Sequence, residues 1–313
     1  RRRAPFDWKT SIIAIPPFIG QKTIEEIPLT EIVEFIDWTF FFTSWDIPRR
    51  FPEVLGDEKY GESAKDLFKD ANEILEGIIG GGLLTAKASY GFWRSNSELD
   101  DIIVFGEEGT NELFRLNMLR QQQNRGNSKH SCLSDFIAPI NSEREDYIGM
   151  FAVTAGINAD KMARDFKESG DDYKSIMIGL IADRLAEASA EWLHKRVREE
   201  WGFPDSPETT IGDVLNENYR SIRPAYGYPA CPDHSEMKKT LKILEVDNIG
   251  MSLTENGAII PSASVSGLYF SHPESHYFSV GRIDRDQVND YSHRKGVSLQ
   301  EAESILFRNI GYF

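Results

Sequence analysis

Cysteine is almost missing from this chain: Cys132 and Cys231 are the two in 313 residues. Two are too few for a disulfide framework at this length, so both read as free thiols of a reducing compartment. Positive charge is also scarce, with 35 Lys and Arg against 50 Asp and Glu and a formal net charge of −15. That balance excludes a surface that tracks phosphates, because nucleic-acid binding needs clustered cations. Long apolar runs are lacking as well. None reaches the roughly 18 residues of a membrane span, and no secretory leader pattern is seen. No nucleic-acid partner, no membrane and a cytoplasmic location are expected.

What remains is ordinary globular composition, 40% hydrophobic and 27% charged. The chain opens on "RRRAPFDW" without an initiator Met. Residues 1–5 are expected to be residual interdomain linker, and 6–313 one domain.

Helical spacing marks residues 29–45, with Thr30 as a cap and Ile32, Phe35 and Ile36 on one face. "GESAKDLFKDANEILEGIIGGG" repeats the pattern with Leu67, Ala71, Ile74 and Leu75 until its glycines stop it. A long helix over about 172–199 is expected to bury Tyr173, Ile176, Met177, Leu180 and Ile181. "KASYGFWRS" and "DDIIVFG" read as strands joined by a turn at 95–98, and "DYIGMFAVTAG" as a buried strand. "SVSGLYFSHPESHYFSVGRID" predicts a hairpin turning near Pro273 and Glu274. Two helices close the chain, the second starting at Ser298 with Glu301 completing a capping box. Hairpins mixed with long helices give an α+β class with a largely antiparallel sheet.

Several features invite a chemical reading. "GIIGGG" (77–82) follows a helix and precedes a strand, the reverse of a dinucleotide loop, so it reads as a helix stop. Cys231 and His234 form a C-x-x-H pair, but no second pair with ligand spacing exists, so no metal site is expected. Asp183 and Glu187 share one helical face, with His194 about two turns further. A solvated stripe is the bland reading, yet Ala182, Ala186, Ala188 and Ala190 leave room for a ligand. Asp37 stands among Phe35, Ile36, Trp38, Phe40, Phe41 and Phe42, either turned outward or buried with a raised pKa. Residues 223–234, "RPAYGYPACPDH", place one arginine among three prolines; such a stiff segment is a loop that holds something.

That loop resembles the R-P-x-x-G-Y-P signature of the AdoMet-binding activation (reactivation) domain of cobalamin-dependent methionine synthase. "FIDWTFFFTSW", "DYIGMFAVTAG", "ADRLAEASAEWLHKRVR" and the closing "NIGYF" resemble further family segments in family order. The resemblance implies a single C-shaped α+β domain with a twisted, largely antiparallel sheet flanked by long helices. It implies S-adenosyl-L-methionine bound in a shallow groove and cobalamin held mainly by another domain of the same chain, with no zinc in this segment. The domain would be part of a methyltransferase and not active by itself. Flavodoxin or a diflavin reductase would supply an electron while AdoMet supplies a methyl group.

The implied cofactor residues are Asp37, Glu187, Arg223, Ala225, Gly227, Tyr228, Tyr269 and Phe270, with no catalytic acid or base. Arg223 offers a planar fork for the ligand carboxylate. Asp37 and Glu187 suit its ammonium or hydroxyl groups, and Tyr228 and Tyr269 offer faces to a sulfonium. Gly227 lets the backbone turn or lie close. Arg223→Ala is expected to weaken AdoMet binding with the fold intact. Tyr226 stands where some relatives carry another proline, which loosens the loop. "HKRVR" (194–198) is the basic candidate for docking acidic flavodoxin. Two rivals remain: a docking module that recruits the reductase and the cobalamin domain without binding AdoMet, and a metalloenzyme on Cys231 and His234.

Overall fold

The computed structural model describes residues 6–123 and 129–312. The linker expected at 1–5 lies outside the described residues. Among the described residues eight strands run in chain order: β1 (Gly20–Ile27), β2 (Thr85–Glu98), β3 (Asp101–Phe105), β4 (Glu112–Asn117), β5 (Asp146–Ile157), β6 (Ser252–Leu253), β7 (Ile259–Ile260) and β8 (Ser264–Tyr269). The main sheet has the order β4-β3-β2-β5-β8, with β1 also on β2, and every pairing is antiparallel. This is the α+β architecture the sequence predicts. β5 runs along one edge of β2 from Thr85 to Ser95. The other edge is shared, by β1 over Ala86–Phe92 and by β3 over Ser95–Glu98.

Helices cover this sheet: α1 (Leu29–Ile32), α2 (Trp38–Thr43), α3 (Gly61–Gly81), α4 (Ala159–Glu168), α5 (Asp172–Glu200), α6 (Ile211–Leu215), α7 (Met237–Ile243), α8 (Arg285–Lys295) and α9 (Leu299–Ile305). Side chains alternate across a strand, so β5 feeds two cores. Phe151, Val153 and Ala155 join the core with α5, whereas Ile148, Met150 and Ala152 join one containing Tyr226, Met237 and Leu241. Burial on both faces explains why "DYIGMFAVTAG" reads as an unbroken apolar run. A third cluster, Val288, Tyr291, Ala302 and Leu306, holds α8 and α9 together. Among the described residues, no helix is long and apolar enough to cross a membrane.

The structure corrects four sequence expectations. Residues 29–45 are not one helix: the chain is extended at Ile36 and Asp37, and Asp37 caps a new helix by accepting from the Thr39 N–H at 2.8 Å. The turn expected at 95–98 lies later, around Leu99 (φ 55°), because Ser97 pairs with Ile102. The polar side chains that imitate a turn there serve buried carbonyls, Ser97 Oγ donating to Ile137 O and Asn96 Nδ2 to Ala138 O, both at 2.9 Å. On α5, Met177 and Ile181 are buried, but Tyr173 and Ile176 are exposed, the tyrosine hydroxyl reaching Asp70 at 2.7 Å. Finally, the predicted hairpin has only its first arm, β8. The edge its return arm would use is taken by the proline loop, through Leu268 N–H to Pro224 O (3.0 Å) and Phe270 N–H to Ile222 O (3.2 Å).

The glycine stop behaves as read, Gly82 closing α3 in the left-handed region (φ 58°). At Ser298 the cap half of the expected box forms, its Oγ accepting from the Glu301 N–H at 3.2 Å.

Asp146, at the start of β5, carries a consequence for pH. Burial pushes its carboxyl up to about 6, although the N–H groups of Ala138 and Tyr147 donate to it. A folded pKa above the ordinary 3.8 means that the native state holds the proton more tightly. The stabilisation is therefore complete below about pH 4 and is lost as pH rises through about 6, a span worth at most about 3 kcal/mol. A ¹³C carboxyl titration of Asp146 should show a midpoint near 6; a midpoint near 4 would refute the assignment.

Candidate functional site

A cavity of about 550 Å³ opens between the start of α2, the middle of α5, the proline loop and residues 277–279. Such a volume suits a small molecule. Helical spacing puts Glu187 and Glu191 one turn apart on the face of α5 that lines it, with Arg184 beside them. Asp37 reaches the wall because the helix break turns its side chain there, between Phe35 and Phe40.

The loop is fixed at both ends. Its leading part lies along β8, bridging Ile222 to Phe270 and Ala225 to Gly267. A Cβ on Gly267 would stand 2.4 Å from Pro224 O, so only glycine permits this approach. Gly227 adopts φ +85°, and a Cβ there would lie 2.0 Å from the His234 ring. Tyr226 is buried and shares a 2.5 Å hydrogen bond with Thr240 Oγ1, which ties the middle of the loop to α7. The trailing end is anchored at Asp233, whose Oδ2 is 2.8 Å from Lys295 Nζ and accepts from the Tyr291 hydroxyl. Lys295, near the end of α8, also pairs with Glu236. Burial raises the Asp233 pKa, but the Lys295 charge and these hydrogen bonds more than offset it and hold the carboxyl below its ordinary value.

Arg223 is the centre of the cavity's electrostatics. Its Nη2 and Nε donate to Glu191 Oε2 at 2.6 and 3.0 Å, and its Nη1 stands 3.9 Å from Glu187 Oε2. Burial pulls its pKa down, yet the Glu191 charge and its neighbours raise it well above the ordinary value, so the guanidinium is permanently charged. The Arg223 N–H donates to the Tyr277 hydroxyl at 2.9 Å. Burial pushes that hydroxyl up to about 12, which keeps it neutral. Tyr228, half exposed at the rim, donates to Glu187 Oε1 at 3.1 Å. Among the described residues of the wall, Asp37, Glu187, Glu191 and Glu217 face two cations, Arg184 and Arg223, so it carries an excess of negative charge.

Of the sequence-predicted residues, Asp37, Glu187, Arg223, Ala225 and Tyr228 line the cavity together. Gly227 acts on the loop's shape. Tyr269 and Phe270 are a correction: both are completely buried and neither lines the cavity. Tyr269 is stacked between His194 and Phe151, at centroid distances of 4.9 and 4.7 Å. The same Tyr-Phe pair recurs at Tyr277 and Phe278, which do line the wall. Sequence reasoning also missed Glu191, although it lies one helical turn beyond Glu187, and Glu217, which no pattern announces.

Two further expectations change. His194 is fully buried, its Nε2 3.1 Å from Ser221 Oγ, and burial with the charges of Arg198 and Arg223 pushes its pKa well below the ordinary value. "HKRVR" is therefore no basic docking face: Arg198 is also buried, against Asp205 at 2.5 Å, and Arg196 pairs with Glu200 at 2.8 Å. Cys231 is buried while His234 is exposed beside Gly227. Among the described residues no group of three or more His, Cys, Asp or Glu could hold a metal ion.

Comparison with known proteins bears on this site. A solved relative, the crystal structure of the MetH reactivation domain bound to AdoHcy, is 41% identical and superposes with a TM-score of 0.94. The match covers 100% of this chain and 97% of that one. The model of the family described as vitamin B12 dependent methionine synthase, activation domain, matches residues 28–296. With the fold and the arginine loop in agreement, the chain belongs to the activation-domain family of vitamin B12 dependent methionine synthase.

Proposed function

We propose that the cavity binds S-adenosylmethionine and that the domain presents its methyl group to cobalamin carried by another domain of the parent methyltransferase. The AdoHcy in the 41% identical relative carries this reading. The wall supports it chemically. AdoMet bears one carboxylate, one ammonium and one sulfonium, and an acidic lining favours that net positive charge.

Arg223 would take the carboxylate, the side chain whose planar fork matches it. Asp37 and Glu187 are placed for the ammonium or the ribose hydroxyls. Tyr228 and Tyr277 offer aromatic faces to the sulfonium, and Phe278 offers apolar surface. Ala225 keeps the wall low, while Gly227, Tyr269 and Phe270 shape it from behind. The chain's own work is to bind, orient and desolvate the methyl donor. When the partner is in its cob(II)alamin state, one electron and this methyl group restore methylcobalamin, the C–S bonding pair staying on the sulfur of AdoHcy. No proton need move, so no acid or base is assigned. Flavodoxin or a diflavin reductase is the proposed electron source.

Calorimetric titration of the folded chain with AdoMet, and separately with AdoHcy, should show saturable one-site binding. No heat at millimolar ligand would overturn the reading and leave a module that only docks a reductase and the cobalamin domain.

A further inference from the structure

Glu191 lines the cavity yet is almost fully buried, 4% exposed, and its contacts are unusually restricted. Its Oε2 receives both Nη2 and Nε of Arg223, at 2.6 and 3.0 Å, and lies 3.4 Å from the Tyr219 hydroxyl. Its Oε1 is buried and makes no hydrogen bond among the described residues. A guanidinium has two edges that can grip a carboxylate, the Nε–Nη2 side and the Nη1–Nη2 end. Glu191 occupies the side, which leaves Nη1 toward the cavity, where Glu187 lies 3.9 Å away. The Arg223 backbone is fixed independently, by its N–H bond to Tyr277.

We infer that Glu191 is a positioning residue for ligand recognition: it grips the side edge of Arg223 so that the end edge meets the ligand's carboxylate. The inference rests on the AdoMet reading of the cavity but assigns Glu191 a separate task, that of holding the arginine. Without the grip, a long arginine side chain samples several rotamers, and the ordering cost falls on ligand binding. The effect must appear only for ligands that carry the carboxylate.

The test compares AdoMet with decarboxylated AdoMet, which lacks only that group, on the wild-type chain and on Glu191→Gln. AdoMet affinity should fall by about tenfold or more, the scale of one hydrogen bond to a charged group. Decarboxylated AdoMet should change by less than about twofold, since its complex never uses the end edge. Equal losses for the two ligands, or no loss for either, would overturn the inference. An Arg223→Gln background gives a second check and removes the buried charge that could unfold the single variant: there, adding Glu191→Gln should change AdoMet affinity no further. A further loss on that background means that Glu191 acts on its own account, contrary to the inference. Absence of AdoMet binding by the wild type would defeat the cavity reading instead, a distinguishable result.

Discussion

Arg223→Ala should lose AdoMet affinity by about a hundredfold, the upper range for removing a charged hydrogen-bonding partner. It should also destabilise the chain, contrary to the sequence expectation of an intact fold. Arg223 is the close partner of Glu191, whose side chain is 5% exposed. Removing one member of a buried pair leaves an uncompensated charge and costs about 3 kcal/mol or more. Chemical denaturation and calorimetry on the same sample separate the two effects. The double variant Arg223→Ala/Glu191→Ala should recover part of the stability, because no lone carboxylate remains buried, and none of the affinity. A single variant that keeps wild-type affinity would remove Arg223 from the binding site.

Gly267→Ala should be nearly as damaging, although the residue is no ligand contact. The added Cβ would lie 2.4 Å from Pro224 O, 2.9 Å from Phe151 Cε1 and 3.0 Å from Ala225 Cα. Two of these belong to the proline loop, so the loop must retreat from β8 toward the cavity. Overpacking of this kind costs about 1–3 kcal/mol, and the displaced Arg223 should lower AdoMet affinity by about tenfold, since displaced groups lose their geometry. Gly179→Ala is the control: inside α5 its Cβ meets nothing within 4 Å. That variant should stabilise by roughly 0.5–1 kcal/mol, the helical cost of glycine, and bind normally. Normal AdoMet affinity in Gly267→Ala would mean that the loop does not depend on its seat.

Much of this was legible in the residues. An unbroken apolar run located β5, buried on both faces, and period-3.6 patterns located α3 and α5. The proline loop identified itself by composition, and the segments around it pointed to the family. What failed was tertiary in origin. The break at Asp37 is a local capping contest that a run of aromatics conceals. The second arm of the 264–284 hairpin was lost because a segment some forty residues earlier claims its pairing edge. Tyr269-Phe270 and Tyr277-Phe278 are identical dipeptides, and only the path of the chain decides which pair faces the cavity. "HKRVR" looks basic on paper, but His194, Val197 and Arg198 are all buried.

The anchor at Asp233 ties the closing helices to the loop that lines the proposed ligand cavity. Lys295 and Tyr291 lie on α8, and α8 is held to α9 by a separate apolar cluster. Opening that pair of helices must release the trailing end of the arginine loop, and a ligand that steadies the loop must in turn hinder the opening. Amide exchange along α8 should therefore slow when the cavity fills, with no ligand atom near it. The closing helices act as a latch whose bolt is one lysine.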